Sequence, residues 1–325
     1  AFKQATVFLV TPSWVSYEPQ AKMIGHDVVR IQTSYEESWR LTPELLDNAL
    51  SHYPGEQQKI LVLNYPGNPD GLSYSEGELI ALAAVARKHN LFILSDEIYG
   101  LLDYEGRYLS IMDYYPEGTA VTTGLSKWCG AGGWRLGVML LSETMVGQFK
   151  DILLGIASET YSCAPSPIQW AGIKAYESYD NLKPYLTVQR RVLQAIGTFC
   201  ANELRQFGVR CYDPVGGFYI MPDFENIREE LADQGIYTAQ DLCKSMIDEA
   251  NVALLPGTAF GFSDKYLLTR LAFVDFNGAN LVNRFIGQES FTIDDSFIEA
   301  YAPNVFNGIA RMKEWLKVRS KTYVN

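Results

Sequence analysis

The chain of 325 residues contains few of the side chains from which disulfide frameworks and zinc sites are built. Its five cysteines are odd in number, widely separated and without a Cys-x-x-Cys pair. A disulfide framework and a zinc site are therefore not expected, and a reducing compartment, the cytoplasm, is the predicted location. His26, His52 and His89 show no ligand spacing, so we expect surface or capping roles for them rather than catalysis.

Long apolar runs and an excess of positive charge are also missing. No stretch approaches the roughly 20 apolar residues that span a bilayer, and no secretory signal pattern is seen. The balance of 27 Lys and Arg against 38 Asp and Glu gives a net charge of −11. Nucleic acid and membrane surfaces are therefore not expected as partners. Apolar residues make up 47% and charged residues 20%, which is ordinary for a globular protein with a sizeable core.

Short apolar runs alternate with helical patterns over the first half of the chain. The runs lack polar alternation, which predicts strands buried on both faces of a mainly parallel sheet. Helical periodicity covers residues 43–53 and 75–90, and Ser75-x-x-Glu78 predicts a capping box. This succession predicts a doubly wound α/β layer whose ligands bind outside the carboxyl ends of the strands. The predicted strands are 7–10, 28–31, 60–63, 91–94, 120–123 and 136–141.

The pattern changes near residue 181, which predicts a smaller α+β unit in the second half. Residues 181–207 are typical of one long helix. Because no flexible linker is present, we predict two closely associated domains, 1–185 and 186–325. Further elements are predicted as strands at 209–212, 218–221, 252–255 and 267–273 and as helices at 238–250 and 304–317.

Three side chains that can hold an aldehyde cofactor follow predicted strands. Lys127 precedes a glycine-rich turn, where its amine can be desolvated and can act as a nucleophile and a base. Asp96 ends an apolar strand, and a protonated pyridine nitrogen would partner this otherwise costly carboxylate. Tyr99 can hydrogen-bond a ring oxygen of the same group. Taken alone, Asp96 is also typical of a helix cap, and Tyr99 of a core residue.

Four further residues are candidates for contacts with a phosphate, a cofactor ring or a substrate. Arg135 lies among glycines that allow close backbone approach, and its guanidinium suits a phosphate. Asn68, in a rigid loop, can bond a ring oxygen, and Trp14 can lie flat against the ring. Arg270 interrupts an apolar strand, and its fork suits a carboxylate. The alternatives are internal ion pairs, a plain turn and a core tryptophan.

In order and spacing, these motifs resemble the class I/II pyridoxal-phosphate-dependent aminotransferases of fold type I, the aspartate aminotransferase superfamily. The resemblance covers essentially the whole chain, although each motif is weak alone. The motifs are PSW at 12–14, NYPGNPDG at 64–71, SDEIYG at 95–100, SKWCGAGGWRLG at 126–137, PVGGFY at 214–219, LLPGTAFG at 254–261 and TRLAF at 269–273.

The resemblance implies a cofactor, a reaction and an assembly. Lys127 would form a Schiff base with pyridoxal 5'-phosphate, and Asp96 would pair with its pyridine nitrogen. An amino group would pass by a ping-pong mechanism between an L-amino acid and a 2-keto acid, in a homodimer. By the same resemblance, Asn68 and Tyr99 would face the ring oxygen, Trp14 the ring, Ser126 and Arg135 the phosphate, and Arg270 the substrate carboxylate.

Three departures from the family pattern affect these expectations. Asp70 replaces the usual threonine of NP-T-G, which we expect to change only the turn, and Gly124 stands where many relatives place a phosphate-binding serine. The chain also begins shortly before its PSW motif, whereas relatives carry roughly a hundred residues there, including a loop that cradles the phosphate. We therefore expect residues 1–185 to form a cofactor-binding domain that is N-terminally incomplete relative to the family.

The substrate and the reaction type stay open at this point. One branch of the family holds a second carboxylate with an arginine three residues before a Tyr-Ser pair like Tyr161-Ser162, and this chain has Ser158 there. Aspartate-like, aromatic and neutral amino acids are all compatible. A lyase of the same fold, which needs no keto acid, and an inactive cofactor-binding homologue are the alternatives to an aminotransferase.

Overall fold

The computed structural model describes residues 2–53, 57–288 and 291–319. The chain divides into two compact units, the first comprising Ala1–Pro66 and Ser73–Lys183 and the second Gly67–Leu72 and Pro184–Asn325. The loop Gly67–Leu72 therefore groups with the second unit. The domains predicted at 1–185 and 186–325 stay predictions, and they differ from these units mainly in that loop.

A mainly parallel sheet forms the centre of the first unit. The strand order is β2-β1-β3-β4-β5-β6, in which β1 to β5 are mutually parallel and β6 is antiparallel to β5. This arrangement confirms the predicted α/β class, and each predicted strand lies within about two residues of an observed one. The strands are β1 (Ala5–Thr11), β2 (Asp27–Gln32), β3 (Gln58–Asn64), β4 (Phe92–Asp96), β5 (Thr119–Gly124) and β6 (Gly137–Leu141).

Helices of the first unit cover both faces of this sheet. They are α1 (Tyr17–Met23), α2 (Pro43–Ser51), α3 (Glu76–Lys88), α4 (Glu143–Thr160), α5 (Ser166–Glu177) and the start of α6 (Tyr179–Arg205). The Ser75 hydroxyl accepts from Glu78 N and the Glu78 carboxylate accepts from Ser75 N, so the predicted capping box at α3 is confirmed. Among the described residues, no helix has the length and apolarity needed to cross a bilayer.

The strand β1 shows why its sequence is apolar throughout. Phe8 and Val10 point to one face, where they pack with α2 and α3 in one core cluster. Val7 and Leu9 point to the other face and pack with Tyr17 of α1. Because successive side chains of a strand alternate between faces, a strand covered on both sides must be apolar at every position.

The order of the strands determines where a ligand can bind. The chain passes from β1 to β2 on one side of β1 and then returns to β3 on its other side, which makes β1/β3 a topological switch point. In open α/β sheets, ligands bind outside the carboxyl ends of the strands at such a point. The segments that follow β1, β3, β4 and β5 all leave the sheet at this edge, which we call the carboxyl edge.

The outer strand β6 and the two helices after it expose large apolar side chains. Met139 and Leu140 of β6 are 44% and 47% exposed, and Leu154 of α4 and Trp170 of α5 are 58% and 72% exposed. The sequence patterns assigned no element to residues 143–177, in which α4 and α5 lie.

The second unit contains short strands and longer helices. Its described elements are the rest of α6, β7 (Tyr219–Ile220), α7 (Arg228–Ala232), α8 (Ala239–Ala250), β8 (Leu255–Pro256), β9 (Thr269–Ala272), α9 (Gly278–Phe285), α10 (Asp295–Tyr301) and α11 (Pro303–Lys317). The strands pair antiparallel in the order β7-β9-β8. The strand predicted at 209–212 is wrong, because Arg210 forms only an isolated bridge with Asp223 and Pro214 soon follows, a residue without a backbone donor.

Candidate active site

Asp96 lies at the carboxyl end of β4, between the ends of β3 and β5. The hydroxyl of Tyr17 donates to its Oδ2 at 2.6 Å, and the backbone N–H of Ile98 donates to its Oδ1 at 3.4 Å. Its backbone carbonyl accepts from Asn64 Nδ2 at 2.7 Å. The position of this carboxylate is therefore determined by groups from β3, β4 and α1.

The electrostatic setting of Asp96 favours a positively charged partner. Burial raises the pKa of this carboxyl, while the hydrogen bonds from Tyr17, Ile98 and Thr122 and the charge of Lys127 lower it. Burial also raises the pKa of Tyr17 well above its ordinary value, and the nearby Asp96 adds to this effect. A partly buried carboxylate with mostly neutral donors gains free energy when a cation approaches.

Trp14 packs against Tyr17, the residue that hydrogen-bonds Asp96. The two aromatic rings meet edge to face, with centroids 5.3 Å apart and an interplanar angle of 81°. Trp14 is partly buried and packs on the same cluster as Tyr17. Tyr17 was not among the predicted site residues, although its place three residues after Trp14 in PSWVSY is a signal that could have identified it.

Lys127 follows β5 and reaches toward the end of β4. Its Nζ lies 5.6 Å from the centroid of the Tyr99 ring, which is buried. Its charge also lowers the pKa of Asp96, so the amine and the carboxylate lie in the same electrostatic environment. The carboxyl edge thus brings these three predicted residues together, while their chemical roles stay predictions.

Ser126 and Arg135 lie on the loop 125–136, which connects β5 with β6. Arg135 is exposed, takes a left-handed backbone conformation with φ 58°, and donates from Nη1 to the carbonyl of Gly132 at 2.7 Å. Ser126 is half-buried and lies against Gly132, where an added Cβ would be 3.6 Å from the Ser126 carbonyl oxygen. Both predicted phosphate ligands therefore belong to one glycine-rich loop at the carboxyl edge.

Gly124 cannot carry a side chain in this strand pairing. It lies opposite Gly137 at the end of the β5–β6 ladder, and an added Cβ would be only 2.5 Å from the carbonyl oxygen of Leu136. Cβ atoms essentially never approach a backbone oxygen so closely. A glycine at this position therefore fits the close approach of the two strands.

Asn68 and Arg270 contact each other in the second unit. Arg270, on β9, donates from Nη1 to Oδ1 of the buried Asn68 at 2.9 Å. Its guanidinium also lies over the rings of Tyr219 and Phe260, at 4.4 Å and 5.2 Å from their centroids. Stacking on aromatic faces fixes the plane of a guanidinium and leaves its charge in place.

The loop that carries Asn68 is closed by Asp70. Its Oδ1 accepts from Leu72 N at 2.9 Å, a hydrogen bond within the turn. The aspartate that replaces the usual threonine was expected to change only this turn. Gly71 has φ 69°, and an added Cβ would meet the carbonyl oxygen of Tyr219 at 2.3 Å. Its own carbonyl accepts from Val215 N at 2.8 Å. These bonds fix the loop within the second unit.

Comparisons with known proteins identify the family of this chain. The family model for aminotransferase class I and II matches residues 1–274. An aspartate aminotransferase of Bacillus subtilis is 31% identical over 290 residues, which cover 87% of this chain and 70% of that protein. An aspartate aminotransferase of Geobacillus stearothermophilus is 32% identical over 273 residues, which cover 83% of this chain and 66% of that protein.

Solved structures show the same relationship. The aspartate aminotransferase of Thermus thermophilus with maleate superposes with a TM-score of 0.73 and 26% identity, over 87% of this chain and 69% of that one. The aromatic aminotransferase of Pyrococcus horikoshii gives a TM-score of 0.77 and 25% identity, over 98% of this chain and 74% of that one. This chain therefore spans about two thirds to three quarters of the length of these four proteins.

Proposed function

Because the chain belongs to the aminotransferase class I and II family, we propose that it moves an amino group between an L-amino acid and a 2-keto acid, with pyridoxal 5'-phosphate as its cofactor. The observation that carries the proposal is the placement of Lys127 close to Asp96 and Tyr99 at the carboxyl edge. An amine, a partly buried carboxylate and a phenol at one sheet edge suit a cofactor with an aldehyde, a basic ring nitrogen and a ring oxygen.

The residues at this edge fit that cofactor on chemical grounds. Asp96 is partly buried and desolvation raises its pKa, so a protonated ring nitrogen would relieve the cost of its charge. Ser126 and Arg135 offer a hydroxyl and a guanidinium, which are suitable donors for a phosphate. Trp14 would lie against the ring, and Tyr99 and Asn68 would donate to its ring oxygen.

Each residue then has a distinct task in the reaction. When bound, the cofactor supplies an electron sink that stabilises the charge left behind by the departing α-proton. Asp96 holds the proton on the ring nitrogen, which keeps that sink effective. Lys127 Nζ would take the α-proton of the amino acid and act as the general base, and Arg270 would orient the amino acid through its carboxylate.

Aspartate is the amino donor that the comparisons favour. The Bacillus and Geobacillus relatives are both named aspartate aminotransferase, whereas the Pyrococcus neighbour is an aromatic aminotransferase with lower identity. We propose an acidic amino acid as the preferred substrate and an aromatic one as the second candidate. A homodimer in the cytoplasm is the proposed working form, on the basis of the family resemblance.

A visible absorbance experiment tests the proposal. The protein is titrated with pyridoxal phosphate, then with L-aspartate or L-phenylalanine, and finally with 2-oxoglutarate. We expect a band from the bound cofactor that bleaches with the amino acid, faster with aspartate, and returns with the keto acid. Failure to form the band would overturn the proposal, and turnover that releases ammonia without any keto acid would replace it with a lyase.

A further inference from the structure

A second acidic residue, Glu97, directly follows Asp96 and is more deeply buried, with 1% of its surface exposed. In the part of the chain that the structure describes, every side chain that donates a hydrogen bond to its carboxylate does so through a hydroxyl group. Oε1 accepts from Ser95 Oγ at 2.7 Å, Ser110 Oγ at 2.8 Å and Tyr65 OH at 3.2 Å, and Oε2 accepts from Tyr108 OH. The proposed reaction gives this carboxylate no task.

The four hydroxyl groups come from three separate parts of the carboxyl edge. Tyr65 directly follows β3, Ser95 lies within β4, and Tyr108 and Ser110 belong to the segment that leads to β5. One carboxylate therefore connects the exit of β3, the exit of β4 and the connection to β5. Burial of such a group is tolerable only because its lone pairs are occupied by donors.

The orientation of these donors requires an acceptor at Glu97. The hydroxyl of Tyr65 accepts a 2.7 Å hydrogen bond from Ile111 N, so its own proton is available to point at the carboxylate. A carboxylate accepts with both oxygens, whereas one side of a glutamine amide can only donate. In a Glu97→Gln variant, an N–H₂ group would replace one of the two carboxylate oxygens and would face hydroxyl groups that also donate.

The main chain of Glu97 forms hydrogen bonds at the start of the turn that carries Tyr99. Glu97 N donates to Thr122 O at 2.8 Å, and Glu97 O accepts from Gly100 N at 2.9 Å. The ring of Tyr108 lies directly against Gly100, where an added Cβ would be 2.4 Å from a ring carbon. The turn after β4 is therefore held from its start and from its end.

We propose that Glu97 is a positioning residue for Asp96 and Tyr99. Its four hydroxyl partners hold its carboxylate, and this fixes the turn after β4 that carries the two residues. The inference deepens the proposed function and rests on it for the roles of Asp96 and Tyr99. Glu97 itself contacts neither substrate nor cofactor in this assignment.

Burial raises the pKa of Glu97 to about 7, with Asp113 adding to the effect, while Ser95, Ser110 and Tyr65 lower it. The titratable groups that face it are thus Tyr65, Tyr108 and Asp113.

The test compares Glu97→Gln with Glu76→Gln, whose exposed carboxylate also accepts from a tyrosine hydroxyl, that of Tyr114. Hydrogen–deuterium exchange of residues 96–103 is measured on the cofactor-free protein, and the Kd for pyridoxal phosphate is measured by fluorescence. We expect Glu97→Gln to exchange about tenfold faster in this segment and to bind the cofactor about tenfold more weakly, since one or two hydrogen bonds are lost. Glu76→Gln should match the parent protein in both measurements.

Two outcomes would overturn the positioning role. One is a variant that unfolds at a lower temperature but keeps the parent's local exchange and cofactor Kd, because Glu97 would then be a core group only. The other is local exchange that speeds up equally in Glu76→Gln. If Glu97→Gln does not fold, Ser110→Ala removes a single donor and should give the same effects at about threefold.

The same measurements separate this inference from the proposed function. If the parent protein binds no pyridoxal phosphate, the proposed function fails, and the exchange of residues 96–103 alone then decides whether Glu97 fixes the turn. If the parent binds the cofactor and only the variant data contradict expectation, the positioning role fails while the proposed function stands.

Discussion

The hydroxyl of Tyr17 donates a 2.6 Å hydrogen bond to Oδ2 of Asp96, and 79 positions of sequence separate the two residues. Tyr17 begins the helix after β1, and Asp96 ends β4, so the bond crosses the switch point of the sheet. It lowers the pKa of a carboxyl that burial otherwise raises. The aromatic residue therefore helps keep Asp96 ionised and oriented for a cationic partner.

Tyr17→Phe should weaken cofactor binding without disturbing the fold. Loss of the hydrogen bond raises the pKa of Asp96 further and frees its Oδ2, and a bond to a charged group contributes about 1.5–3 kcal/mol. We expect a Kd for pyridoxal phosphate at least about tenfold higher, as measured by fluorescence titration. Tyr53→Phe, which loses a hydroxyl that bonds Thr6 at the opposite end of β1, is the control and should bind normally.

Lys127→Ala should remove the covalent link between protein and cofactor. Borohydride reduction followed by peptide mass spectrometry should find a cofactor-modified peptide in the parent protein and none in the variant, because the amine that would attack the aldehyde is gone. Lys150→Ala, an exposed lysine on α4, should keep the modification. Modification that persists at another lysine would remove Lys127 from its proposed role.

Arg270→Ala should affect the amino acid far more than the cofactor. The proposed bidentate contact to a carboxylate is lost, and a fully used charge pair of this kind contributes about 3 kcal/mol, so the half-saturating aspartate concentration should rise on the order of 100-fold. The Kd for pyridoxal phosphate should change by less than about threefold. An equal loss of both would contradict the assignment. Arg311→Ala, an exposed arginine on α11, should change neither.

Glu97 should make the stability of the protein pH-dependent. Burial raises its pKa from 4.5 to about 7, so this carboxyl binds a proton more tightly in the folded state than in the unfolded chain. Its contribution to stability is therefore fully present below about pH 4.5 and is lost as the pH rises through about 7. The difference is about 3 kcal/mol for this group, since one pKa unit corresponds to about 1.4 kcal/mol.

Urea unfolding between pH 5 and pH 8 checks this sign. The free energy of unfolding of Glu97→Gln, relative to the parent, should rise by up to about 3 kcal/mol over that range, because glutamine does not ionise. Glu76→Gln should follow the parent at every pH. Parallel curves for the parent and Glu97→Gln would show that Glu97 titrates normally.

Gly124→Ala should destabilise the protein through the close approach of β5 and β6. An added Cβ lies 2.5 Å from the Leu136 carbonyl oxygen, so the strands must separate, at a cost of about 2–3 kcal/mol. Apart from Gly133 itself and its two chain neighbours, no described residue has an atom within 4 Å of a Cβ built on Gly133, so Gly133→Ala should change stability by less than about 0.5 kcal/mol. Denaturant midpoints measure both, and equal effects would contradict the steric argument.

The carboxyl edge could be predicted from sequence because it depends on the ends of parallel strands. Lys127, Asp96 and Tyr99 each follow an apolar run, and parallel strands place such positions at one edge of the sheet. Short patterns therefore predicted both the strands and the neighbourhood of these side chains. The capping box of α3 could be predicted for the same reason, since all of its bonds are local.

The contacts that local patterns do not encode could not be predicted. Tyr17 meets Asp96 over 79 positions, and the partners of Glu97 come from three segments, so no window of sequence contains either arrangement. The two-residue strands β7 and β8 give too short a periodic signal to fix their ends. Packing in three dimensions determines all of these features.

The loop 125–136 begins and ends at the same edge of the sheet, because β6 runs back along β5 and Gly124 lies opposite Gly137. Lys127 and Arg135 therefore share one loop that is fixed at both ends. An inserted or deleted residue would shift the lysine relative to the arginine, whereas exposed loop tips elsewhere accept changes of length. Selection should therefore act strictly on the number of residues between Gly124 and Gly137, and aligned relatives should show no gaps there.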